Sequence, residues 1–279
     1  MNVERKLLMQ KNIRTDLALE AREIGERTAG KIKGVVAEEK EYKNIKVTTV
    51  DILNKEGEKA LGKAQGRYIT FEAPMFRYDD SCADMLCKMI CDELCEMGNI
   101  TPKSTILIAG LGNRAITPDA LGAEVTDKLF VTNHMKNYFD GKTSAVCAIA
   151  PGVLGTTGIE TVEIIKGICN NIKPDLVIAV DALAAAELSR LATTIQIADT
   201  GIQPGAGVGN DRKGLNEQTL GTKVIAIGVP TVIDAANISD IEIPQDLSPL
   251  MVTTKDIDAI IRDMSKIIAD GINMATCRL

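Results

Sequence analysis

One segment, residues 104–122 (STILIAGLGNRAITPDALG), limits the possible folds of the chain more than any other. Residues 105–109 are a short apolar run, which is typical of a buried parallel strand. Gly110 and Gly112 follow, and they allow a sharp turn where a side chain would clash. A Thr-Pro pair then marks a helix start. The segment therefore predicts a strand, a tight turn and a helix that carries Asp119 in its first turn.

The same alternation of strand and helix continues to the end of the chain. Strands are predicted at residues 105–109, 144–149, 176–180, 194–198 and 223–228, and helices at 118–133, 158–171, 182–191 and 255–271. Strands alternating with helices predict an α/β fold, with a mostly parallel sheet covered by helices on both faces. Before this pattern, a helix at 17–30 and strands at 45–53 and 67–73 predict N-terminal additions to the same domain.

A second acid, Asp181, follows the apolar run 176–180. Open α/β sheets bind ligands at the carboxyl ends of their strands, so we expect Asp119 and Asp181 to share a cleft. Two neighbouring carboxyls do not both ionise readily, and their apparent pKa values separate by up to ~3 units. One then takes a proton from water while the other donates one to a leaving amine. Such a pair can hydrolyse a peptide without a covalent intermediate.

Backbone N–H groups of the turn at Gly110, Gly112 and Asn113 are candidates for stabilising the oxyanion of such a reaction. Structural roles remain open for both acids. Asp119 also suits the first turn of a helix, where the helix dipole favours a carboxylate, and Asp181 also suits a helix cap after a strand.

Two glycine-rich loops, 150–158 and 199–210, serve either as turns or as the border of an extended-peptide site. They place Gly155 and Asp199 at the edge of the cleft. Asp199 begins an Asp-Thr-Gly triplet like that of pepsin-like proteases, but those enzymes need two copies on an all-β scaffold. Asp199 is therefore interpreted as a cleft-edge residue.

Composition excludes several classes of protein. The net charge of -6 and the lack of a basic run with aromatics argue against nucleic-acid binding. No apolar stretch approaches the ~20 residues that span a bilayer. The first residues also lack the apolar core of a secretory signal, which predicts a cytoplasmic protein. The single histidine, His134, is interpreted as a surface residue, which argues against Ser-His or Cys-His catalysis.

Cysteine and glycine motifs do not indicate a metal or a cofactor. Four of the seven cysteines lie in residues 79–97 without a C-x-x-C pair, so we interpret them as the buried face of a helix. The spacing from Gly110 to Ala115 matches a dinucleotide-binding fingerprint, but no acid ends the next predicted strand. We therefore expect no metal and no cofactor.

Long segments of the chain resemble the germination protease family, an atypical family of aspartic endopeptidases from spore-forming bacteria. The matching residues are 13–21, 110–122, 150–161, 181–185, 193–210 and 225–235. The resemblance implies that Asp119 and Asp181 are catalytic and that the substrates are small acid-soluble spore proteins, degraded in the spore core during germination. It also implies a homotetramer.

The resemblance further implies a zymogen that removes its own propeptide. Residues 15–20 (TDLALE) are similar to the substrates' cleavage sequence, so the processed bond is expected between Asp16 and Leu17. This divides the chain into a propeptide, 1–16, and a single α/β protease domain, 17–279.

A second family is kept as the alternative. The Gly-x-Gly-Asn turn followed by an acid is also similar to hydrogenase maturation endopeptidases, which share the expected fold and bind nickel through an acid at this position. In such an enzyme His134 would have to serve as a further ligand.

Overall fold

A computed structural model describes residues 14–138, 143–203, 213–238 and 250–277. In these residues nine strands form one sheet in the order β1-β2-β3-β7-β8-β6-β4-β5, with β9 paired to β8. The strands are β1 (Val35–Tyr42), β2 (Ile45–Ile52), β3 (Gly66–Glu72), β4 (Thr105–Gly110), β5 (Ala145–Ile149), β6 (Leu176–Ala185), β7 (Thr194–Ala198), β8 (Lys223–Asp234) and β9 (Met251–Val252).

Helices connect these strands and cover the sheet. They are α1 (Ala18–Ala29), α2 (Lys55–Leu61), α3 (Asp80–Gly98), α4 (Leu121–Thr126), α5 (Leu154–Thr157), α6 (Thr161–Ile172), α7 (Glu217–Leu220), α8 (Ala235–Ile238) and α9 (Ile257–Thr276). None of the helices in the described part of the chain is long and apolar enough to cross a membrane.

Four strands, β5, β4, β6 and β8, run parallel and form the centre of the protein. Apolar residues from α3, α4 and α9 pack on one face of these strands, and residues from α6 and α7 pack on the other. Both faces are buried, which explains why these strands are continuous apolar runs. The predicted α/β fold with helices on both faces is confirmed. Of the four cysteines predicted on the buried face of this helix, Cys82 and Cys87 are buried in α3, whereas Cys91 and Cys95 are half-buried.

The N-terminal additions extend the sheet with antiparallel strands. β1, β2 and β3 pair as an antiparallel meander, and β3 joins β7. β7 also runs antiparallel to β8, which differs from the predicted parallel pattern. The chain returns from β6 to β7 through a 3₁₀ turn, Leu188–Arg190, and not through a helix. A parallel neighbour needs a long crossover connection, so this short one reverses the strand direction.

The predicted helix at 182–191 is wrong. β6 continues through Ala185 because residues 182–185 pair with the second half of β8, with a register shift between Leu183 and Ala184. The alanine-rich sequence favours a helix locally, but pairing with an adjacent apolar strand overrides that preference. Asp181 therefore lies inside β6 and does not follow its end.

The predicted helix at 118–133 is shorter than expected. A 3₁₀ turn, Thr117–Asp119, leads into α4, which ends at Thr126. The residue before this turn, Ile116, makes no side-chain hydrogen bond that caps it. The proline lies at the start of the turn, as expected.

Two glycines allow β4 and α4 to pack backbone against backbone. A Cβ added to Gly110 would lie 2.1 Å from the Gly122 carbonyl oxygen. A Cβ added to Gly122 would lie 2.3 Å from the Leu111 nitrogen and 2.5 Å from the Val180 carbonyl oxygen. These neighbours are backbone atoms of α4, of Leu111 and of β6, and the Leu111 N–H is itself bonded to the Val180 carbonyl at 2.7 Å, so they have little freedom to move. The close approach fixes the turn that carries Asp119.

We predict that Gly122→Ala lowers the free energy of unfolding by about 1–3 kcal/mol, because the new methyl group overpacks a rigid backbone. Gly167→Ala is the matched control, since Gly167 lies exposed in α6 and an added Cβ meets nothing within 4 Å. That substitution should stabilise the protein by up to ~1 kcal/mol through helix propensity. Urea denaturation measures both changes. Equal stability of the two variants would contradict the packing argument.

Candidate active site

Asp119 is held at the end of β4 by the turn that precedes it. Its Oδ2 accepts a 2.8 Å hydrogen bond from the Asn113 N–H, and its own N–H donates to the Ile116 carbonyl at 2.8 Å. Gly112 has a φ of +94°, and an added Cβ there would lie 2.0 Å from the Asp119 carbonyl oxygen. Glycine is therefore needed at this position for two reasons: the backbone has a positive φ, and the Asp119 carbonyl lies where a side chain would begin. The result is a half-buried carboxylate fixed in direction.

Asp181 lies in β6 one residue beyond the point where β4 stops, since Gly110 of β4 pairs with Val180. Only 5% of its surface is exposed. Its Oδ1 accepts a 2.9 Å hydrogen bond from the Ala182 N–H. On its other side β6 remains paired with β8, where Asp181 is opposite Gly228. The second acid thus belongs to the rigid sheet.

The two acids line one cavity of about 420 Å³. Most of its wall is apolar and comes from the loop after β4 with its 3₁₀ turn, the loop after β5, β6, β8 and β9: Leu111, Ile116, Pro118, Val153, Leu183, Val232 and Met251. The predicted convergence of Asp119 and Asp181 on a shared cleft therefore agrees with the geometry. An apolar cleft with a few convergent polar groups is typical of a ligand or substrate site.

Burial and charge give the two acids different ionisation. Burial raises the pKa of Asp181 well above its usual 3.8, and the nearby Asp119 carboxylate raises it further. The Ala182 N–H opposes this shift and Asp16 adds to it. Asp181 therefore retains its proton at a pH where an ordinary aspartate has lost it. One protonated and one ionised carboxyl is the combination that acid–base hydrolysis requires.

A third acid, Asp16, also lines this cavity. The Asp16 N–H donates to the Ala184 carbonyl at 2.9 Å, and the Ala184 N–H donates to Asp16 Oδ2 at 2.8 Å. The Thr15 carbonyl accepts a 2.9 Å hydrogen bond from Lys63 Nζ. The described part of the predicted propeptide, residues 14–16, is therefore attached beside the two aspartates.

Glu20 anchors the same segment a few residues further along. It is fully buried, and its carboxylate accepts hydrogen bonds from the N–H groups of Ala186 at 2.7 Å and Glu187 at 3.0 Å. Thr15 donates a hydrogen bond to it as well. Arg190 lies 3.8 Å from this carboxylate. Burial raises the pKa of Glu20, and these partners oppose that rise.

The other predicted site residues are distributed around the cleft. Gly112 lines the cavity, whereas Gly110 is buried under α4 and Gly155 is exposed in α5. The Asn113 N–H is already bonded to Asp119, so in this structure it positions that acid. Asp199 follows β7, lies outside the residues lining the cavity, and accepts a 2.8 Å hydrogen bond from the Arg67 N–H. The oxyanion and cleft-edge roles stay predictions.

Two polar residues at this site were missed by the sequence analysis. Gln196 is buried in β7 between two isoleucines and contacts the N-terminal segment. Arg190 is buried in the segment mistaken for a helix. A polar residue inside an apolar strand is a detectable signal, since buried polar groups need partners. The partner itself is visible only in the folded chain.

Comparisons with known proteins find sequences of one family that are similar to this chain. The family model described as germination protease matches residues 13–247. Germination proteases of Clostridium perfringens and Clostridium tetani are 47% and 46% identical to the chain, each over 95% of both sequences. That of Bacillus subtilis is 48% identical over 81% of this chain and 65% of its own length.

Among solved structures, the [NiFe] hydrogenase maturation protease HycI from Thermococcus kodakarensis is similar with a TM-score of 0.36. It is 20% identical in sequence, and the match covers 61% of this chain and 93% of HycI.

The raised pKa of Asp181 predicts a pH-dependent stability. Between the usual pKa of 3.8 and the raised one, the folded protein holds a proton that the unfolded chain has released, so stability falls as pH rises through this window. Asp181→Asn removes the titration. Within this pH window, the free energy of unfolding of the variant relative to that of the wild type should increase by up to about 1.4 kcal/mol per pH unit.

Urea denaturation between about pH 4 and about pH 8 measures this difference. Asp119→Asn is the companion variant. This variant removes the Asp119 charge, which is a smaller cause of the raised Asp181 pKa than burial. The stability of the Asp119→Asn protein should therefore still fall with pH, but over a narrower pH range than in the wild type. A stability difference between Asp181→Asn and the wild type that does not change with pH would contradict the assignment.

Proposed function

Because the chain belongs to the germination protease family and is therefore a protease, we propose that it is an aspartic-type endopeptidase in which Asp119 and Asp181 activate a water molecule. The observation that supports this most directly is their shared cavity, in which Asp119 contributes to the raised pKa of Asp181. Neither acid needs a nucleophilic side chain or a histidine for this chemistry.

The two environments favour a division of roles. Asp119 is half-buried and receives the Asn113 N–H, which stabilises its ionised form, so it is the base that takes a proton from water. Asp181 is buried and protonated, so it donates its proton to the departing amine. The water oxygen adds to the peptide carbonyl carbon, and the C–N bond then breaks as the amine is protonated. After each turnover the shared proton is on Asp119 and Asp181 is ionised. Proton exchange between the two acids or with solvent restores the starting state, in which Asp181 is protonated.

We further propose that the protein is made as a zymogen and cleaves its own Asp16–Leu17 bond. Support comes from Asp16, which lines the cavity of the two acids, and from the segment 14–20, which is hydrogen-bonded beside it. The family name supports a role in germination. Small acid-soluble spore proteins as substrates, a location in the spore core and a homotetramer are proposals that rest on the family resemblance.

The alternative, a hydrogenase-maturation endopeptidase that uses nickel, is not favoured. The family model and the curated relatives are germination proteases. His134, which that alternative requires beside the acids, is exposed in a 3₁₀ turn and is not among the residues that line the cavity.

We predict that Asp119→Asn and Asp181→Asn each reduce peptide hydrolysis by at least about 100-fold, because each removes one half of the acid–base pair. Asp175→Asn is the matched control. Asp175 directly precedes β6, at the opposite end of the strand from Asp181, and its carboxylate accepts the Thr105 N–H. Cleavage of a purified small acid-soluble spore protein, with circular dichroism to check folding, measures the effect. Wild-type activity in either active-site variant would remove that residue from the mechanism.

We also predict that the purified full-length chain yields a product beginning at Leu17, and that Asp181→Asn remains unprocessed. N-terminal sequencing and intact mass measurement over time follow the reaction. Dilution distinguishes cleavage within one molecule from cleavage of one molecule by another. The rate constant of the intramolecular reaction does not change when the protein concentration falls. A different new N-terminus would show that Asp16–Leu17 is not the processed bond.

A further inference from the structure

Gln196 is a buried polar residue of β7 that the proposed mechanism does not yet use. It is 7% exposed, and its neighbours along the strand, Ile195 and Ile197, are fully buried. A buried amide carries a desolvation cost unless both its N–H and C=O groups find partners. The partners of Gln196 therefore indicate what the residue does.

Gln196 lies in register with the catalytic Asp181. Asp181 of β6 pairs with Gly228 of β8, and Gly228 in turn pairs with Gln196 of β7. Residues in register on adjacent strands project their side chains to the same face of a sheet. The two strands are two spacings apart, or about 10 Å. Asp181 and Gln196 thus face the same side, with a glycine between them.

The N-terminal segment bridges these two strands. On the β6 side, Asp16 exchanges two hydrogen bonds with Ala184. On the β7 side, the Asp16 carbonyl oxygen accepts a 3.3 Å hydrogen bond from Gln196 Nε2. Gln196 Oε1 accepts a 2.7 Å hydrogen bond from the Ala18 N–H. One amide side chain therefore holds the backbone on both sides of the Asp16–Leu17 bond.

We propose that Gln196 is a catalytic residue for propeptide cleavage, and that its amide N–H stabilises the oxyanion formed at the Asp16 carbonyl. This inference rests on the proposed processing of the Asp16–Leu17 bond. Gln196 contacts the Asp16 carbonyl from β7, and Asp16 itself lines the cavity that holds the acid pair, Asp119 and Asp181.

The reaction balances with these groups alone. The water oxygen bonds to the Asp16 carbonyl carbon and its proton moves to Asp119. The carbonyl π electrons move to the oxygen, where the Gln196 N–H donates to the negative charge. When the oxyanion collapses, the C–N electron pair goes to the Leu17 nitrogen, which takes the Asp181 proton. The products are a carboxyl group on Asp16 and a free amine on Leu17.

A purely structural role for Gln196 makes a different prediction. In that case its amide only anchors the segment, as Asn273 of α9 anchors a loop elsewhere. Asn273 is also 7% exposed, accepts the Phe130 N–H at 2.9 Å and donates to the Lys128 carbonyl at 3.1 Å. It is a buried amide that bridges two backbone groups away from the cleft, so it is a matched control.

The experiment compares Gln196→Met and Asn273→Leu in the full-length chain. Both substitutions keep the approximate side-chain volume and remove the amide. Intact mass measures the rate of cleavage after residue 16, and hydrogen exchange of residues 15–20 reports whether the segment stays docked through Ala184 and Glu20. We expect Gln196→Met to slow cleavage by about 100- to 1,000-fold with the segment still protected, the usual loss for one oxyanion donor. Asn273→Leu should cleave at the wild-type rate.

Each other outcome is decisive. Cleavage of Gln196→Met at the wild-type rate overturns the catalytic role. Slow cleavage with loss of protection in residues 15–20 also overturns it, because Gln196 is then only an anchor. If the wild type itself does not cleave between Asp16 and Leu17, the proposed processing fails, and that result is distinct from a failure of Gln196.

Discussion

The pairing of β6 with β8 beyond the end of β4 determines the chemistry of this site. β4 stops at Gly110, opposite Val180, whereas β6 and β8 remain paired to Ala185. Asp181 is the first residue of this extension. It is surrounded by sheet backbone and not by a hydrated loop, so its charged form is poorly solvated and its pKa rises. The Asp119 charge is a smaller cause of this rise, so burial in the sheet is the main reason that Asp181 holds its proton.

The same extension provides the surface on which the N-terminal segment lies. Asp16 bonds to Ala184, and Glu20 bonds to the two N–H groups that follow β6. Burying a carboxylate such as Glu20 is costly, and hydrogen bonds to backbone N–H groups offset that cost. The segment is thereby fixed on both sides of the Asp16–Leu17 bond. A peptide group held in place before reaction has already lost much of the freedom that a free substrate must give up.

Arg190 links this arrangement to the N-terminal part of the sheet. It is bonded to Glu23 of α1 at 2.7 Å and to Glu72 of β3 at 2.9 Å, in addition to its approach to Glu20. Buried ion pairs often gain little net stability, because desolvation cancels much of the attraction. Their geometric requirement is strict, however. The cluster therefore fixes the position of α1 relative to the cleft.

The sequence by itself determined the α/β class, the strand and turn at residues 105–112, the cysteine-bearing helix and the pair Asp119 and Asp181. These rest on local patterns: apolar runs, glycine turns and acids that follow apolar runs. Only the tertiary structure decided that β6 extends past Asp181, that β7 is antiparallel, and that Gln196 faces the same side as Asp181. Each of these depends on β8, which lies more distant in the sequence, and its backbone hydrogen bonds outweigh the helix preference of the alanine-rich residues.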